Sequence, residues 1–471
     1  MGKERQTKAA RQLDMFEVQG PAAHPGAGGE GGTGPAAREA SQLSTASEQE
    51  RALTGALMER ICERENLNQA YRRVKANAGA PGADGMDARG LRAWWKENGE
   101  RVTASLLDGS YQPQPVLGVE IPKPGGGKRQ LGIPTYLDRM IQQAILQELT
   151  PVFDPQFSPS SFGFRPGRGA HDALRQASRY VEEGRSIVVD MDLEKFFDRV
   201  NHDILMSRLA RRIGDKRLLR VIRRFLEAGM MRDGLCVERR EGTPQGGPLS
   251  PLLANVLLDD LDKELEKRGH CFCRYADDCN IYVQSQAAGE RVMVSVTRFL
   301  EARLRLKVNA EKSAVAFIED RKFLGYRLLR GGRLGIAPKS LDRAKERVRA
   351  ISRRNRGVSL ERAIKELNSF LAGWLLYFRY ADCRSALRDM DGWIRRRLRC
   401  LRLKQRKRAK PIADWLCQLG VPEWRAWLLA GSGKGWWRMA GSPQAAEAMS
   451  NAWFDSQGLV NLSNNYAQFT H

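Results

Sequence analysis

Residues 271–283 read CFCRYADDCNIYV, two short apolar runs that enclose the adjacent acidic residues Asp277 and Asp278. Runs of this length and composition are typical of β-strands, and the polar residues between them are typical of a tight hairpin turn. Two neighbouring carboxylates repel each other unless a cation lies between them. Oxygen ligands without histidine or cysteine favour Mg²⁺ over zinc. The stretch therefore predicts a β-hairpin whose tip binds a hard divalent cation.

A second acidic pair follows another predicted strand. In SIVVDMDLEKFFDRV, residues 186–200, an apolar run leads into Asp190 and Asp192, which are two residues apart and hence on one strand face. Phosphoryl transfer on two metal ions needs at least one carboxylate from elsewhere in the fold. An acidic pair in a loop is more commonly a turn or capping element, but the combination of these two pairs favours a metal site.

The charge of the chain indicates a polyanionic partner. The 471 residues include 78 Lys and Arg against 55 Asp and Glu, a net charge of +23. Such a field attracts nucleic acid, with an anionic membrane surface as the alternative. The longest apolar runs, such as LAGWLLYF at 371–378, are well short of the roughly 20 residues that a membrane span needs. The length allows two or three domains.

The cysteines and the N-terminal residues predict a cytoplasmic protein. Eight cysteines occur with five histidines, and no CxxC pair is present. This pattern favours reduced thiols that pack as small hydrophobic groups over a zinc site or a disulfide framework. The first 20 residues lack the apolar segment of a secretory signal.

The pattern along the chain predicts an α+β fold with five segments. Residues 20–37 hold 15 Gly, Pro or Ala out of 18, so residues 1–47 are predicted to be a disordered extension. Residues 48–184 are mainly helical, and residues 185–335 alternate strands and helices, including a strand over 321–329. Strands are predicted to stop after about 340, leaving a helical segment at 336–410 and a tail at 411–471.

The two C-terminal segments are predicted to bind RNA or DNA. Residues 341–410 hold 22 Lys and Arg against 7 Asp and Glu, which is +15 of the +23 net charge. A charge run is often only a solvated helix face, but apolar residues interrupt this run at helical spacing, which favours a nucleic-acid-binding domain. The tail holds six of the ten tryptophans with Arg425, Lys434 and Arg438 among them, and is predicted to be basic. Its tryptophans suit base stacking and a small core equally well.

Seven motifs follow one another along the chain. They are IPKPGGGKRQLGIPT (121–135), FGFRPGRGAHDAL (162–174), DLEKFFDRVNHDIL (192–205), GTPQGGPLSPLLANVLL (242–258), RYADDCNIYV (274–283), LKVNAEKS (306–313) and FLGYRL (323–328). In this order they resemble the reverse transcriptase/maturase proteins of bacterial group II introns. The resemblance covers roughly residues 50–471 and implies a right-hand polymerase with fingers, an α+β palm and an all-α thumb. The tail resembles that of the compact class without an endonuclease domain.

The resemblance implies that Asp192, Asp277 and Asp278 bind two Mg²⁺ ions. The spacing in the family, with an aromatic residue five positions beyond the ligand, favours Asp192 over Asp190 and identifies that aromatic residue as Phe197. Phe197 would exclude a 2′-hydroxyl and so select deoxynucleotides. Without the resemblance, Phe197 would be interpreted as a core residue.

The resemblance also implies how the nucleotide is held. Lys123 and Arg129 flank a Gly-rich turn and would bind the triphosphate, and Gln245 and Gly246 would line the nucleotide and template pocket. Lys312 would protonate the leaving pyrophosphate.

The implied function is an RNA-directed DNA polymerase that assists splicing of its intron RNA and copies that RNA during retrohoming. Its partners would be the intron RNA in a ribonucleoprotein, an RNA template, a DNA primer, target DNA and dNTPs, with no membrane. A splicing-only maturase, or a retron, diversity-generating or CRISPR-associated reverse transcriptase, remains the alternative.

Overall fold

The chain forms two compact units, the first ending at Ala316 and the second beginning at Phe317. A computed structural model describes residues 54–122, 126–232, 235–239 and 241–469. The predicted extension at 1–47 and Lys123 lie outside these residues. Strands and helices are mixed in the first unit, which confirms the predicted α+β class.

The helices of the first unit begin at polar caps that the sequence supplies. The Asp87 side chain accepts from the backbone N–H groups of Arg89 and Gly90 at the start of α3, and Thr135 caps α4 in the same way. The helices are α1 (Leu57–Cys62), α2 (Arg64–Ala76), α3 (Ala88–Leu107), α4 (Tyr136–Phe153), α5 (Ala170–Glu182), α6 (His202–Ala210), α7 (Lys216–Glu227), α8 (Ser250–Lys267) and α9 (Gln286–Phe299).

Two four-stranded sheets organise this unit. The first has the order β2-β1-β4-β5, in which β1 pairs antiparallel with β2 and parallel with β4. The second has the order β6-β7-β3-β8, in which β7 is antiparallel to both β6 and β3. The strands are β1 (Val116–Pro122), β2 (Lys128–Ile133), β3 (Ile187–Met191), β4 (Met230–Arg232), β5 (Leu235–Val237), β6 (Cys271–Tyr275), β7 (Asp278–Val283) and β8 (Ala314–Phe317).

The second sheet is fixed against helices by a continuous apolar core. Helix α8 contacts β6 and buries one leucine per turn, at 253, 257, 261 and 265. Each buried leucine contributes roughly 1.5–3 kcal/mol. Helix α8 therefore packs an apolar face against the sheet, and strand pairing sets the register of β3, β6 and β7.

The second unit is helical after two short strands, as predicted. Strand β9 (Tyr326–Leu328) pairs antiparallel with β10 (Leu334–Ile336), and strands end there within the described residues. The helices that follow are α10 (Pro338–Ile351), α11 (Leu360–Tyr377), α12 (Arg384–Arg406), α13 (Ala409–Gln418), α14 (Glu423–Ala430), α15 (Trp436–Met439), α16 (Pro443–Ala448), α17 (Asn451–Ser456) and α18 (Leu462–Ala467).

Two sequence predictions for this unit were wrong. The strand predicted over 321–329 is reduced to β9 because Leu324 and Gly325 have φ of 51° and 82°, which turns the backbone before Tyr326. The tail at 411–471 is not basic, since its three Lys and Arg face four Asp and Glu, and Arg425 pairs with Glu447 at 2.8 Å.

The sequence left open whether the tail tryptophans form a small core or are exposed for base stacking, and the structure contains tryptophans of both kinds. Trp415 is buried, whereas Trp424 is 71% exposed and Trp427 and Trp437 are also exposed.

All eight cysteines are free, in agreement with the prediction of unpaired thiols. Cys273, Cys279, Cys383 and Cys400 are buried, whereas Cys271 is only half-buried and Cys236 is exposed. Among the described residues, no helix combines the length and apolar character needed to cross a membrane.

Candidate active site

The hairpin predicted from residues 271–283 is formed by β6 and β7. Tyr275 pairs with Asp278, which leaves Ala276 and Asp277 as the two residues of the tip. Ala276 has φ of 57°, a left-handed conformation that costs an L-residue roughly 1–2 kcal/mol. Asp277 is half-buried and Asp278 is exposed. The tip therefore presents two adjacent carboxylates in different environments.

Strand β3 brings Asp192 to the same end of the sheet. Its register pairs Met191 with Cys279, so the next residue along, Asp192, lies level with Asp278. The backbone of Asp192 is held on the other side by residues 309–313: its N–H donates to Ser313 Oγ at 3.0 Å, and its carbonyl accepts from the Asn309 N–H at 2.8 Å. Lys312 Nζ lies 3.4 Å from Asp192 Oδ1.

The charges of Asp192 and Asp277 interact. Burial raises the pKa of Asp277, and the negative charge of Asp192 raises it further, whereas Arg129 and Arg274 act in the opposite direction. Across the described ranges, no three His, Cys, Asp or Glu side chains are grouped closely enough to hold a metal ion. The donor set is nevertheless made of hard carboxylate oxygens whose negative charge is only partly balanced, which fits a divalent cation.

The predicted fingers motif forms the hairpin of β1 and β2. Pro122 pairs with Lys128, and Gly126 and Gly127 are the described residues between them, with Lys123 outside the described residues. Arg129 is exposed on β2, and its charge acts on the pKa of Asp277. The structure thus brings one of the two predicted triphosphate-binding cations into electrostatic range of the carboxylates.

A glycine-rich turn at 242–247 passes beneath Phe197. The Thr243 N–H donates to the Phe197 carbonyl at 2.7 Å, and the ring of Phe197 packs edge-on against Phe196, with ring centroids 5.1 Å apart. Gly242 has φ of 86°, and a Cβ there would lie 2.8 Å from the Phe197 carbonyl oxygen. Glycine at 242 allows this close approach, and the hydrogen bond from Thr243 fixes the backbone of Phe197. The Phe197 side chain is half-buried.

The same turn joins β2 through Gln245 and Gly246. The Gly132 N–H donates to the Gln245 carbonyl at 2.9 Å. Gly246 has φ of 123°, and a Cβ there would lie 3.0 Å from the Gly132 carbonyl oxygen. The backbone of Gln245 and Gly246 thus connects the strand that carries Arg129 to the turn that supports Phe197.

A buried guanidinium that the sequence analysis missed supports the hairpin tip. Arg274 is fully buried and pairs with the equally buried Asp262 on α8 through two hydrogen bonds of 2.6 Å. It also donates to Asn255 Oδ1 and the Ala276 carbonyl, both at 2.9 Å, and to Ser161 Oγ at 2.7 Å. Burial alone would lower the pKa of Arg274, but the charge of Asp262 outweighs it and the pKa is raised.

The segment around Gly163 closes this network from the other side. The Phe162 N–H donates to the Arg274 carbonyl at 2.9 Å, and Asn255 Nδ2 donates to the Gly163 carbonyl at 2.9 Å. A Cβ at Gly163 would lie 2.3 Å from the Ala276 nitrogen. The signal in the sequence was a single arginine within the apolar run CFCRY, which requires a buried acidic partner.

Comparisons with known proteins match two families. Residues 121–328 match the family described as "Reverse transcriptase (RNA-dependent DNA polymerase)". Residues 341–418 match the family described as "Group II intron, maturase-specific domain".

Individual proteins are also similar to this chain. Protein YkfC of Escherichia coli is 33% identical over 315 residues, which cover 58% of this chain and 83% of that protein. The group II intron-encoded protein LtrA of Lactococcus lactis is 37% identical over 195 residues, which cover 41% of this chain and 32% of LtrA. Among solved structures, a chain of the Cas6-RT-Cas1–Cas2 complex is 28% identical over 52% of this chain and 42% of that chain, with a TM-score of 0.35.

Proposed function

The chain belongs to the reverse transcriptases with a maturase domain that group II introns encode, and we propose that it assists splicing of its own intron RNA and copies that RNA into DNA during retrohoming. As an RNA-directed DNA polymerase, it adds nucleotides to a primer on an RNA template. The observation that carries the proposal is the meeting of Asp192 with Asp277 and Asp278 at one end of a sheet, in a chain that also matches the maturase-specific domain.

The family uses divalent metal ions, and we propose that Asp192, Asp277 and Asp278 bind two Mg²⁺ ions. The raised pKa of Asp277 supports this, because burial and the charge of Asp192 leave negative charge at this point that a cation would stabilise. When bound, two such ions lower the pKa of the primer 3′-hydroxyl and neutralise the triphosphate and the leaving pyrophosphate.

Basic residues on two sides of the carboxylates are proposed to handle the triphosphate. Arg129, with Lys123, would bind its oxygens, since guanidinium and ammonium groups donate strong hydrogen bonds to phosphate. Lys312 would protonate the leaving pyrophosphate, and its ammonium lies 3.4 Å from Oδ1 of Asp192, one of the proposed metal ligands.

The shape of the nucleotide pocket is proposed to select deoxynucleotides. Phe197 would exclude a 2′-hydroxyl, because the turn at 242–247 fixes its backbone and Phe196 restrains its ring. Gln245 and Gly246 would line the pocket. Position 246 suits glycine, because a Cβ there would lie close to the Gly132 carbonyl oxygen.

The helical second unit is proposed to bind RNA. Nucleic-acid binding follows from the family, and intron RNA, template, primer and target DNA are the partners proposed here. We propose fingers at 48–184, a palm at 185–335, a thumb and maturase region at 336–410 and a nucleic-acid-binding tail at 411–471. Because intron RNA is transcribed in the bacterial cytoplasm, we propose that the protein acts there.

A single double variant tests the polymerase and splicing roles separately. Asp277→Ala/Asp278→Ala should abolish dNTP incorporation on a primed RNA template with Mg²⁺, whereas Asp203→Ala, at an exposed acidic residue on α6, should not. Splicing of the intron RNA should survive in the double variant, because RNA folding needs no metal ligand in the protein. Incorporation by the double variant at the wild-type rate would refute the polymerase site. Loss of splicing without loss of RNA binding would refute the separation of the two roles.

A further inference from the structure

Most basic residues of the densest run of positive charge contact other groups of the second unit, whereas Lys407, Arg408 and Lys410 at its end are exposed. Residues 395–410 read RRRLRCLRLKQRKRAK. Of the seven basic residues between 395 and 406, six contact carbonyl oxygens, side-chain oxygens or aromatic rings within the second unit. These six are Arg396, Arg397, Arg399, Arg402, Lys404 and Arg406.

Two of these arginines connect α12 to the C-terminal helices. Arg399 donates from Nε and Nη2 to the Met449 carbonyl, at 3.0 and 2.8 Å. The guanidinium of Arg396 lies over the ring of Trp437, 4.4 Å from its centroid. A Cβ at Gly441 would lie 2.7 Å from Arg396 Cζ, so the chain leaves room for this guanidinium. Both contacts place the charge between helices, where it is partly removed from solvent.

Two further arginines enclose a buried tryptophan. Arg402 and Arg406 lie over the ring of Trp415, at 5.3 and 5.1 Å from its centroid. Burial lowers the pKa of Arg402, and the charge of Arg406 lowers it further. Burial likewise lowers the pKa of Arg399. A cation that stacks on a buried ring contributes to the packing of the unit and has little freedom to meet a phosphate.

Helix α10 has the opposite arrangement. Its apolar residues face inward, and a row of basic residues one turn apart is exposed. The buried residues are Ala344, Val348 and Ile351. The exposed row is Lys339, Arg343 and Arg347.

This row is available for a ligand. Within the described residues, the side chains of Lys339, Arg343 and Arg347 take part in no hydrogen bond or ion pair. Four residues of helix advance about 6 Å along the axis, so the three charges form a line that can follow one phosphate strand. The two acidic residues of α10, Asp342 and Glu346, are also exposed. The exposed face therefore carries an excess of positive charge.

We propose that the exposed row on α10 is the surface through which the second unit holds the phosphate backbone of intron RNA, and that the arginines of α12 between 396 and 406 are part of the packing of that unit. The proposal rests on the proposed RNA-binding function and says which basic residues perform it. RNA is favoured over DNA because α10 lies almost wholly within residues 341–418, which match the maturase-specific domain.

Salt dependence of binding separates the two sets of residues. We would measure binding of the full chain to a fluorescein-labelled RNA duplex by anisotropy, from about 50 to about 200 mM salt. The variant Lys339→Gln/Arg343→Gln/Arg347→Gln should keep the wild-type Tm, and its slope of log K against log salt should be shallower by about 2 to 3. Arg399→Gln should lower the Tm and leave the slope unchanged. A DNA duplex of the same sequence serves as the parallel ligand.

The outcomes distinguish this inference from the proposed function. If the wild-type chain binds neither duplex with a steep salt slope, the RNA-binding function itself fails. If the wild-type slope is steep and the α10 variant keeps it, only the assignment to α10 fails. A loss confined to the DNA duplex would overturn RNA as the partner. A flatter slope in Arg399→Gln with an unchanged Tm would overturn the structural role of α12.

Discussion

The hairpin tip depends on Arg274, and replacing Arg274 by methionine should lower both the Tm and the rate of primer extension, for two different reasons. Arg274 uses all five of its N–H donors, two on Asp262 and one each on Asn255, Ser161 and the Ala276 carbonyl. Arg274→Met leaves a fully buried Asp262 without its counter-charge, which costs about 3–5 kcal/mol. At about 2–4 °C per kcal/mol for a unit of this size, the Tm should fall by about 6–20 °C.

The same substitution should also lower kcat by a separate route. Without Arg274, the carbonyl of the left-handed tip residue that precedes Asp277 loses its hydrogen bond from a buried guanidinium. A misplacement of about 1 Å at a reacting group can cost about a hundredfold in rate. Single-turnover primer extension, run at a temperature where circular dichroism shows the variant folded, should therefore be about ten- to a hundredfold slower.

Two control variants make this prediction specific to the hairpin. Arg274→Met/Asp262→Leu replaces the buried pair by apolar groups, so it should regain most of the Tm but stay slow. Arg208→Met breaks a less buried pair with Asp260 on the same helix, so it should lower the Tm slightly and leave the rate unchanged. If Arg274→Met extends primers at the wild-type rate, or if the double variant regains both properties, the positioning argument is refuted.

Three further predictions concern the turn beneath the nucleotide, the steric gate and a buried acid. Gly242→Ala should lower the Tm more than Gly184→Ala. The two glycines have φ of 86° and 91°, but only a Cβ at Gly242 would meet backbone atoms within 4 Å. An equal decrease in Tm for the two variants in thermal unfolding would contradict the steric argument. Phe197→Ala should raise incorporation of UTP relative to dTTP in primer extension with no loss of RNA binding, and an unchanged ratio would exclude Phe197 as the gate. Burial raises the pKa of Asp138 to about 6, so the folded state retains a proton that the unfolded state loses. The unfolding free energy of the wild type should therefore fall by about 3 kcal/mol relative to Asp138→Asn as the pH rises from about 4 to above 6, and parallel pH profiles would contradict this.

Local patterns in the sequence predicted the elements that carry the carboxylates. The apolar runs on either side of Asp277 and before Asp192 are strands because their side chains are buried against α8 and neighbouring helices, and their length and composition are visible in the sequence. The helices after β10 were also predicted, because Leu367 and Leu371 recur at helical spacing and are buried. These elements were predictable because the residues that form the apolar pattern in the sequence are also the residues that the structure buries.

Features that depend on distant contacts could not be predicted. Arg274 meets Asp262, Asn255 and Ser161, which are 12, 19 and 113 residues away, and no local pattern records those separations. The strand predicted over 321–329 was shortened by backbone angles at Leu324, a residue type that gives no sign of a left-handed conformation. Composition alone also did not reveal that Arg425 is neutralised by Glu447.

The buried and stacked arginines change what the net charge of +23 means. Arg274 and Arg165 are buried in the first unit, where Arg165 pairs with Asp154 at 2.7 Å, and Arg399 and Arg402 are partly buried in the second. Each of these arginines adds to the formal charge, but it interacts mainly with nearby carboxylates, carbonyl groups or aromatic rings of the protein. The sign of the charge still indicates a polyanion, because exposed cations remain in excess. Exposure and existing partners decide which residues meet that polyanion. By that criterion the exposed row on α10 is a better candidate than the arginines of α12 between 396 and 406.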